Sequence, residues 1–266
     1  MKAMILAAGL GTRLKPWTEH HPKALVPVGG VPMLERVILS LKKQGFTEII
    51  INIHHFGEQI IDFVNEKDFG VNISISDERG ELLDTGGGIL HAQQLLTKDN
   101  SPFLIHNVDI LSNADLAKLM QAHCDHNSNA TLLVSNRTSS RKLIFDSDLN
   151  LKGWHNLSTD EFKPQGLETT ENDIELAFSG IHVMSTRCFD LMKTDGFNDA
   201  FPIMDFYLSQ ARKIKLSQIG KTDLSQAAKI DISQAGTIGI KGFCCNDLNL
   251  IDIGKPDTLT QANRLF

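Results

Sequence analysis

The chain has 266 residues, 41% of them apolar and 22% charged, which is enough chain and enough hydrophobic content for one large α/β domain. A formal net charge of −6 argues against a general nucleic-acid or anionic-membrane surface, so an anion site has to be a local concentration of positive charge. The opening MKAMILAAG turns polar too soon for a signal peptide, no apolar run is long enough to span a bilayer, and Cys124, Cys188, Cys244 and Cys245 lack metal-ligand spacing; the expectation is a cytoplasmic protein with reduced thiols.

In chain order, Lys2 to Leu6 reads as a short buried strand that runs into a loop carrying Gly9, Gly11, Arg13 and Lys23. Met33 to Gln44 has apolar residues at helical spacing (Met33, Leu34, Val37, Ile38, Leu41), with Gly45 as its C-cap signal. Glu48 to Ile53 is a β-branched strand, Glu58 to Asn65 a helix, and Val71 to Ser76 an alternating strand. A second glycine cluster, Leu82 to Ile89, precedes a helix over Ile89 to Leu96. Pro102 to Asn107 is a strand ending at Val108-Asp109, Asp115 to His126 a helix capped by Asn113, and Ala130 to Val134 a strand. Such alternation predicts a mainly parallel sheet covered by helices on both faces.

From Asn136 the rhythm changes to polar loops, a hairpin of Lys142 to Phe145 with Leu151 to Trp154, and a polar insertion reaching Asp173. Residues 136–173 read as a lid or substrate-facing lobe within a single domain spanning 1–266, since no linker marks a second one. Glu175 to Met184 is a strand and Ile203 to Arg212 a helix; Lys221 to Gly236 has no clear pattern. Leu248 to Ile253 is a strand closed by Gly254, and Pro256 to Leu265 a helix with proline at its first position.

Ligands in parallel α/β sheets sit beyond the carboxyl ends of strands. Four places qualify: Ala7 to Arg13, Asp84 to Gly88, Asp109, and Asp252 with Gly254. Gly9 and Gly11 suit a cradle of backbone N–H groups for phosphate, although a ligand-free turn fits the two glycines equally well. Asp109 suits Mg²⁺, which takes oxygen ligands, and equally suits a helix cap. Asp252 lies in the apolar run Leu250 to Ile253, where a buried carboxylate calls for a cation or donor nearby. Gly86, Gly87 and Gly88 exceed what one tight turn requires. His123, Cys124 and His126 have a spacing open to zinc, but a solvated helix end is the favoured reading because no second pair matches. No G-x-S-x-G marks a hydrolase nucleophile.

With these residues in place the chain resembles the sugar-1-phosphate nucleotidyltransferases over most of its length. The pattern L-x-x-G-x-G-T-R-x-x-P followed by P-K stands as Leu6, Gly9, Gly11, Thr12, Arg13, Pro16, Pro22 and Lys23. Asp84-Thr85-Gly86-Gly87-Gly88 is similar to the base-side loop, Asn107-Val108-Asp109 to the metal motif N-G-D, Ile251 to Lys255 to the late V-D-[VI]-G-T, and Phe178-Ser179-Gly180-Ile181 to a sugar-side F-S-G-I. The short N-acetylmuramate-1-phosphate uridylyltransferases and mannose-1-phosphate guanylyltransferase-like proteins are the most similar members. Departures are Val108 in place of glycine and Lys255 in place of threonine; the E-K-P of several longer members is matched in letters alone by Phe162-Lys163-Pro164, which lies in the polar insertion, and Lys163 is given no role.

The resemblance implies a Rossmann-like α/β fold, a mixed and mainly parallel sheet sandwiched by helices with a small sugar-side lobe. It implies that a sugar 1-phosphate and a nucleoside triphosphate, GTP or UTP, give a nucleotide-sugar and pyrophosphate with Mg²⁺ as cofactor. The implied roles place the Gly9 and Gly11 N–H groups and Arg13 on the β- and γ-phosphates and Lys23 on the α-phosphate. Leu6, Ala8, Thr12, Asp84, Thr85, Gly86 and Gly87 face the nucleotide, Asn107 and Gly180 the sugar, and Asp109 and Asp252 the metal. Asp84, Glu78 or Glu81 could read a guanine edge, and a backbone pair could equally read uracil. Two other readings share the opening motif or the fold: a cytidylyltransferase acting on a phosphorylated alcohol such as phosphocholine, and a non-catalytic nucleotide-sugar sensor.

Overall fold

Along the first strand (β1, Lys2–Leu6) alternate side chains enter opposite hydrophobic layers: Met4 packs in one, Ala3 and Ile5 in the other. The computed structural model describes residues 1–219 and 239–265; the unpatterned stretch 221–236 lies outside them. After β1 come a hairpin of β2 (Pro27–Val28) and β3 (Val31–Pro32), helix α1 (Met33–Lys43), β4 (Glu48–Ile53), α2 (Gly57–Asn65), β5 (Asn72–Asp77), α3 (Asp84–His91), α4 (Gln93–Leu96), β6 (Phe103–Asn107), β7 (Ile110–Ser112) and α5 (Leu116–His126). The chain continues through β8 (Ala130–Ser135), β9 (Arg141–Phe145), β10 (Leu151–Asn156), β11 (Glu161–Lys163), β12 (Ile174–Met184), α6 (Cys188–Thr194), α7 (Ile203–Ile219), β13 (Ile240–Cys244), β14 (Leu250–Asp252) and α8 (Pro256–Leu265).

These strands form the expected α/β architecture. The main sheet runs β11-β10-β9-β12-β6-β1-β4-β5, with β8 paired to β12 and β13 paired to β8. Around β1 it is parallel, β6-β1-β4-β5, and β12 then pairs antiparallel with β6. One layer packs Met4, Ile105 and Ile50 against Ile89 of α3, Phe189 of α6 and Phe206 of α7. The other packs Ile5, Leu104 and Ile51 against Leu34 and Ile38 of α1 and Leu119 of α5. The five α1 residues with helical spacing, Met33, Leu34, Val37, Ile38 and Leu41, are all buried.

Residues 136–173 do not stand apart from the sheet. The hairpin β9–β10 with β11 extends it edgewise from β12, and long side chains cover it, with Lys163 Nζ 5.4 Å from the Trp154 ring centroid. Two local expectations change. Asp115, not Asn113, caps α5, its carboxylate accepting from Lys118 N at 2.8 Å; Asn113 instead clamps the end of β14's approach, accepting from Asn249 N at 2.8 Å. The glycine cluster is not a loop before a helix, because α3 begins at Asp84 and Gly86 to Gly88 form its buried turns.

His106, His123 and His182 are buried, and desolvation pushes them down to about 4, 4 and 3 respectively. His123 is held by Thr131 and Ser185, which replaces the solvated helix end expected of it, whereas neither nitrogen of His182 has a hydrogen-bond partner among the described residues. Each is neutral in the fold while the unfolded chain takes up a proton below an ordinary pKa of about 6.5, so stability present above that pH is lost as pH falls toward 4, at roughly 2 kcal/mol per histidine by pH 5. The melting temperature is therefore expected to drop between pH 7 and pH 5, and to drop less in His182→Phe. A pH-independent melting temperature over that range would contradict this account.

Candidate active site

Three strand ends define the site. In register, Leu6 of β1 lies between Asn52 of β4 and Asn107 of β6, so the carboxyl ends of three adjacent parallel strands open side by side. The chain leaves β1 toward β4 on one side and toward β6 on the other, the switch point where an open α/β sheet leaves a crevice. A cleft of about 590 Å³ occupies it.

The glycine loop forms one wall. Asn52 is buried, accepts from Ala7 N at 2.7 Å through Oδ1, and donates to Glu78 Oε1 at 2.8 Å through Nδ2. This bond fixes the direction in which the backbone leaves β1. Gly11 has φ +64°, and a Cβ there would stand 2.8 Å from Lys23 Cβ and 3.0 Å from Thr18 Cγ2, so glycine is required by both conformation and space. Thr18 Oγ1 donates to Gly11 O at 2.9 Å and locks the turn. Among the described residues no hydrogen bond engages the backbone N–H groups of residues 9 to 13. A row of free donors beside a cation is an anion nest.

Charge gathers at the floor and the far wall. Lys23 Nζ donates to Asp109 Oδ2 in a mostly buried ion pair. Arg13 reaches across to Gly254, where an added Cβ would meet its Nη2 at 2.6 Å and Asp252 Oδ1 at 2.7 Å. Asp252 and Asp109 sit on paired backbones, since Asp252 opposes Ile110 and Ile253 N donates to Asp109 O at 2.8 Å. A third small core of Leu14, Val26, Val28, Met33, Ile253 and Ala262 packs beneath and ties the loop to the C-terminal segment.

Most residues singled out in the sequence converge here. Leu6, Ala8, Gly9, Gly11, Thr12, Arg13, Lys23, Asp84, Thr85, Asn107 and Asp109 line the cleft, with Val108 filling its floor. Gly86, Gly87, Gly180 and Asp252 do not. Gly86 and Gly87 are buried against α7's approach: a Cβ on Gly86 would lie 2.2 Å from Phe201 Cε2, and one on Gly87 2.6 Å from Asp199 O. Gly180, at φ +76°, backs onto Asn107, whose Nδ2 would meet a Cβ at 2.7 Å. Asp252 is exposed, contrary to the buried carboxylate expected from its apolar run, and accepts from Gly254 N at 2.8 Å at the cleft's rim. Glu78 is buried behind the loop, where desolvation holds its carboxyl above the usual range; it orients Asn52 and does not line the cleft. Asn52 was missed because one asparagine closing an apolar strand leaves no pattern. Among the described residues no cluster of three or more histidine, cysteine, aspartate or glutamate side chains is placed to hold a metal.

Comparison with known proteins agrees with this geometry. The family model described as "Nucleotidyl transferase" matches residues 2–143, more than half of the chain and all three strand ends. The chain belongs to the nucleotidyl transferase family. An N-acetylmuramate alpha-1-phosphate uridylyltransferase of Neisseria meningitidis serogroup B is 34% identical over 216 residues, covering 80% of this chain and 87% of that protein. The mannose-1-phosphate guanyltransferase of Saccharomyces cerevisiae is 31% identical over 215 residues, 77% of this chain and 56% of that enzyme, so the chain spans little more than half the length of such relatives. The crystal structure of HddC from Yersinia pseudotuberculosis complexed with GMP-PN superposes with a TM-score of 0.68 at 23% identity, over 100% of this chain and 99% of that one, and shows the shared fold. The family's relatives here are sugar-phosphate nucleotidyltransferases.

The packing at Gly86 gives a test. Gly86→Ala would force its Cβ onto Phe201, and the expected cost is about 1–3 kcal/mol of stability in a denaturant titration. An unchanged midpoint would mean that the contact with Phe201 relaxes freely.

Proposed function

We propose that this chain condenses a sugar 1-phosphate with GTP or UTP, forming a nucleotide-sugar and releasing pyrophosphate. The observation that carries the reading is the cleft itself: a glycine loop with free N–H donors, two cations from the segment after β1, one carboxylate, Asp109, in the lining, and a second, Asp252, at the rim. The nucleophile needs no general base, because a phosphomonoester with a second pKa near 6 is already ionised at neutral pH. That agrees with a site that holds no hydroxyl–histidine pair.

In this reading a sugar-phosphate oxygen attacks the α-phosphorus in line, the new P–O bond forms, and the bond to the β-phosphate breaks with pyrophosphate carrying off the electron pair. Catalysis is then positioning and charge neutralisation. The N–H groups of Gly9 and Gly11 and the guanidinium of Arg13 bind the β- and γ-phosphates. Lys23, in its low-dielectric position on Asp109, neutralises charge that builds on the α-phosphate. Ala8, Leu6, Thr12, Asp84 and Thr85 lie against the nucleoside, and Asn107, braced from behind by Gly180, faces the sugar.

A divalent cation fits the donor set. Asp109 and Asp252 offer carboxylate oxygens only, Asp252 from β14 and Asp109 from the turn before β7, whose backbone bonds Ile253 N, and two such ligands leave room for water and phosphate oxygens as Mg²⁺ prefers. Bound there, Mg²⁺ would supply Lewis-acid stabilisation of the phosphoryl oxygens.

Pyrophosphate release measured across four triphosphates and a set of sugar 1-phosphates tests the reading. Release should require both substrates, and its absence in every pairing while nucleotide still binds would overturn the proposal. Lys23→Ala is expected to lower kcat by about 10²–10³-fold with the fold intact, the scale set by losing one transition-state donor. Arg13→Ala should act mainly on the KM for nucleotide, and an unchanged KM would remove Arg13 from the triphosphate site.

A further inference from the structure

Glu78 is 3% exposed and belongs to none of the substrate-contacting roles above. It follows β5, its N–H donating to Ile53 O at 2.9 Å, and its side chain turns inward to Asn52. Oε1 accepts from Asn52 Nδ2 at 2.8 Å, while Oε2 is buried without a hydrogen-bond partner among the described residues. Helix α3 is cut away to admit the carboxyl: a Cβ on Gly88 would stand 2.7 Å from Oε1 and 2.9 Å from Asn52 Nδ2. That clearance accounts for the third glycine of the run, since Phe201 and Asp199 explain only Gly86 and Gly87.

A buried carboxyl with one oxygen unsatisfied is costly, and desolvation holds it above the usual range against the pull of its bond to Asn52 and of His91 and His54. What that carboxyl supplies is orientation. An amide can flip and exchange its oxygen for its nitrogen; with Nδ2 committed to Glu78, Asn52 points Oδ1 at Ala7 N, 2.7 Å away. Ala7 opens the segment whose N–H groups at residues 9 to 13 are free among the described residues. Asn52 lines the cleft and Glu78 does not, so Glu78 reaches a ligand only through Asn52.

We propose that Glu78 is a positioning residue for the triphosphate: its carboxyl, acting through Asn52, aims the N–H groups of the glycine loop at the phosphates and reads no base. What Asn52 requires of it is an acceptor oxygen, which an amide supplies as well as an acid. This inference rests on the proposed function, since it assigns a support to the same anion nest.

Calorimetric titration with inorganic tripolyphosphate, GTP and UTP, each with Mg²⁺, separates positioning from base reading, because tripolyphosphate has no base. Glu78→Met fills the space and removes the acceptor; affinity for tripolyphosphate and for the nucleotide that binds should fall together by at least about fivefold, the scale of one hydrogen bond. Glu78→Gln keeps the acceptor and should stay within about twofold of wild type. In an Asn52→Leu background Glu78→Met should cost less than about twofold further, because the path it works through is gone. If Glu78→Met does not fold, Glu78→Asp carries the test: one methylene shorter, it withdraws the oxygen from Asn52 and should show the same joint loss. Unchanged tripolyphosphate affinity in these variants would overturn the assignment and leave the proposed function standing, and a loss confined to GTP or UTP would give Glu78 to the base instead. A loss in Glu78→Gln as large as in Glu78→Met, or an undiminished further loss in the Asn52→Leu background, would also overturn it. A wild-type chain that binds neither tripolyphosphate nor nucleotide would overturn both.

Discussion

The side-chain amide of Asn52 holds the start of the glycine loop, and much of the site's geometry follows from that one bond. It accepts from Ala7 N at the point where β1 ends, and its other edge is committed to a buried carboxylate, Glu78. A neutral amide used on both sides has one orientation, so the loop leaves the sheet in one direction. From there Gly11, in the left-handed region, turns the chain so that Lys23 can come up beneath it and meet Asp109 at the end of β6. Without a fixed exit from β1, free N–H donors and a lysine at adjacent strand ends would be near one another but not aimed.

The rest of the fold keeps charges close without letting them cancel. Lys23 and Asp109 pair, but Asp252 and Arg13 are separated by Gly254, a position where any Cβ would collide with both. In a chain of net charge −6, these cations stand out as a local positive field at the mouth of a cleft.

The glycines divide into distinct physical uses. Gly11 and Gly180 hold positive φ, the first in the loop and the second behind Asn107. Gly86 and Gly87 lie in a helix, where propensity alone disfavours them, and are there because Phe201 and Asp199 come too close for any side chain. A run of three glycines in the sequence suggests a loop; packing against the approach to α7 makes it the first turns of α3 instead.

The sequence by itself determined the parallel α/β core, through buried runs such as Lys2–Leu6 and Glu48–Ile53 and the spacing of Met33 to Leu41, because period and burial are local properties of composition. It also marked Gly9, Gly11, Arg13, Lys23, Asp84, Asn107 and Asp109, whose convergence in one cleft follows from strand ends sharing an edge. Only the tertiary structure decided the rest. It moved Asp252 from a buried run to an exposed rim, withdrew Glu78 from the base side into the core, and turned His123 into a buried, hydrogen-bonded side chain. It also brought Asn52 to the site. Such a residue acts through a partner 45 positions away, Ala7 for Asn52, and no local pattern of residue types encodes a contact of that range.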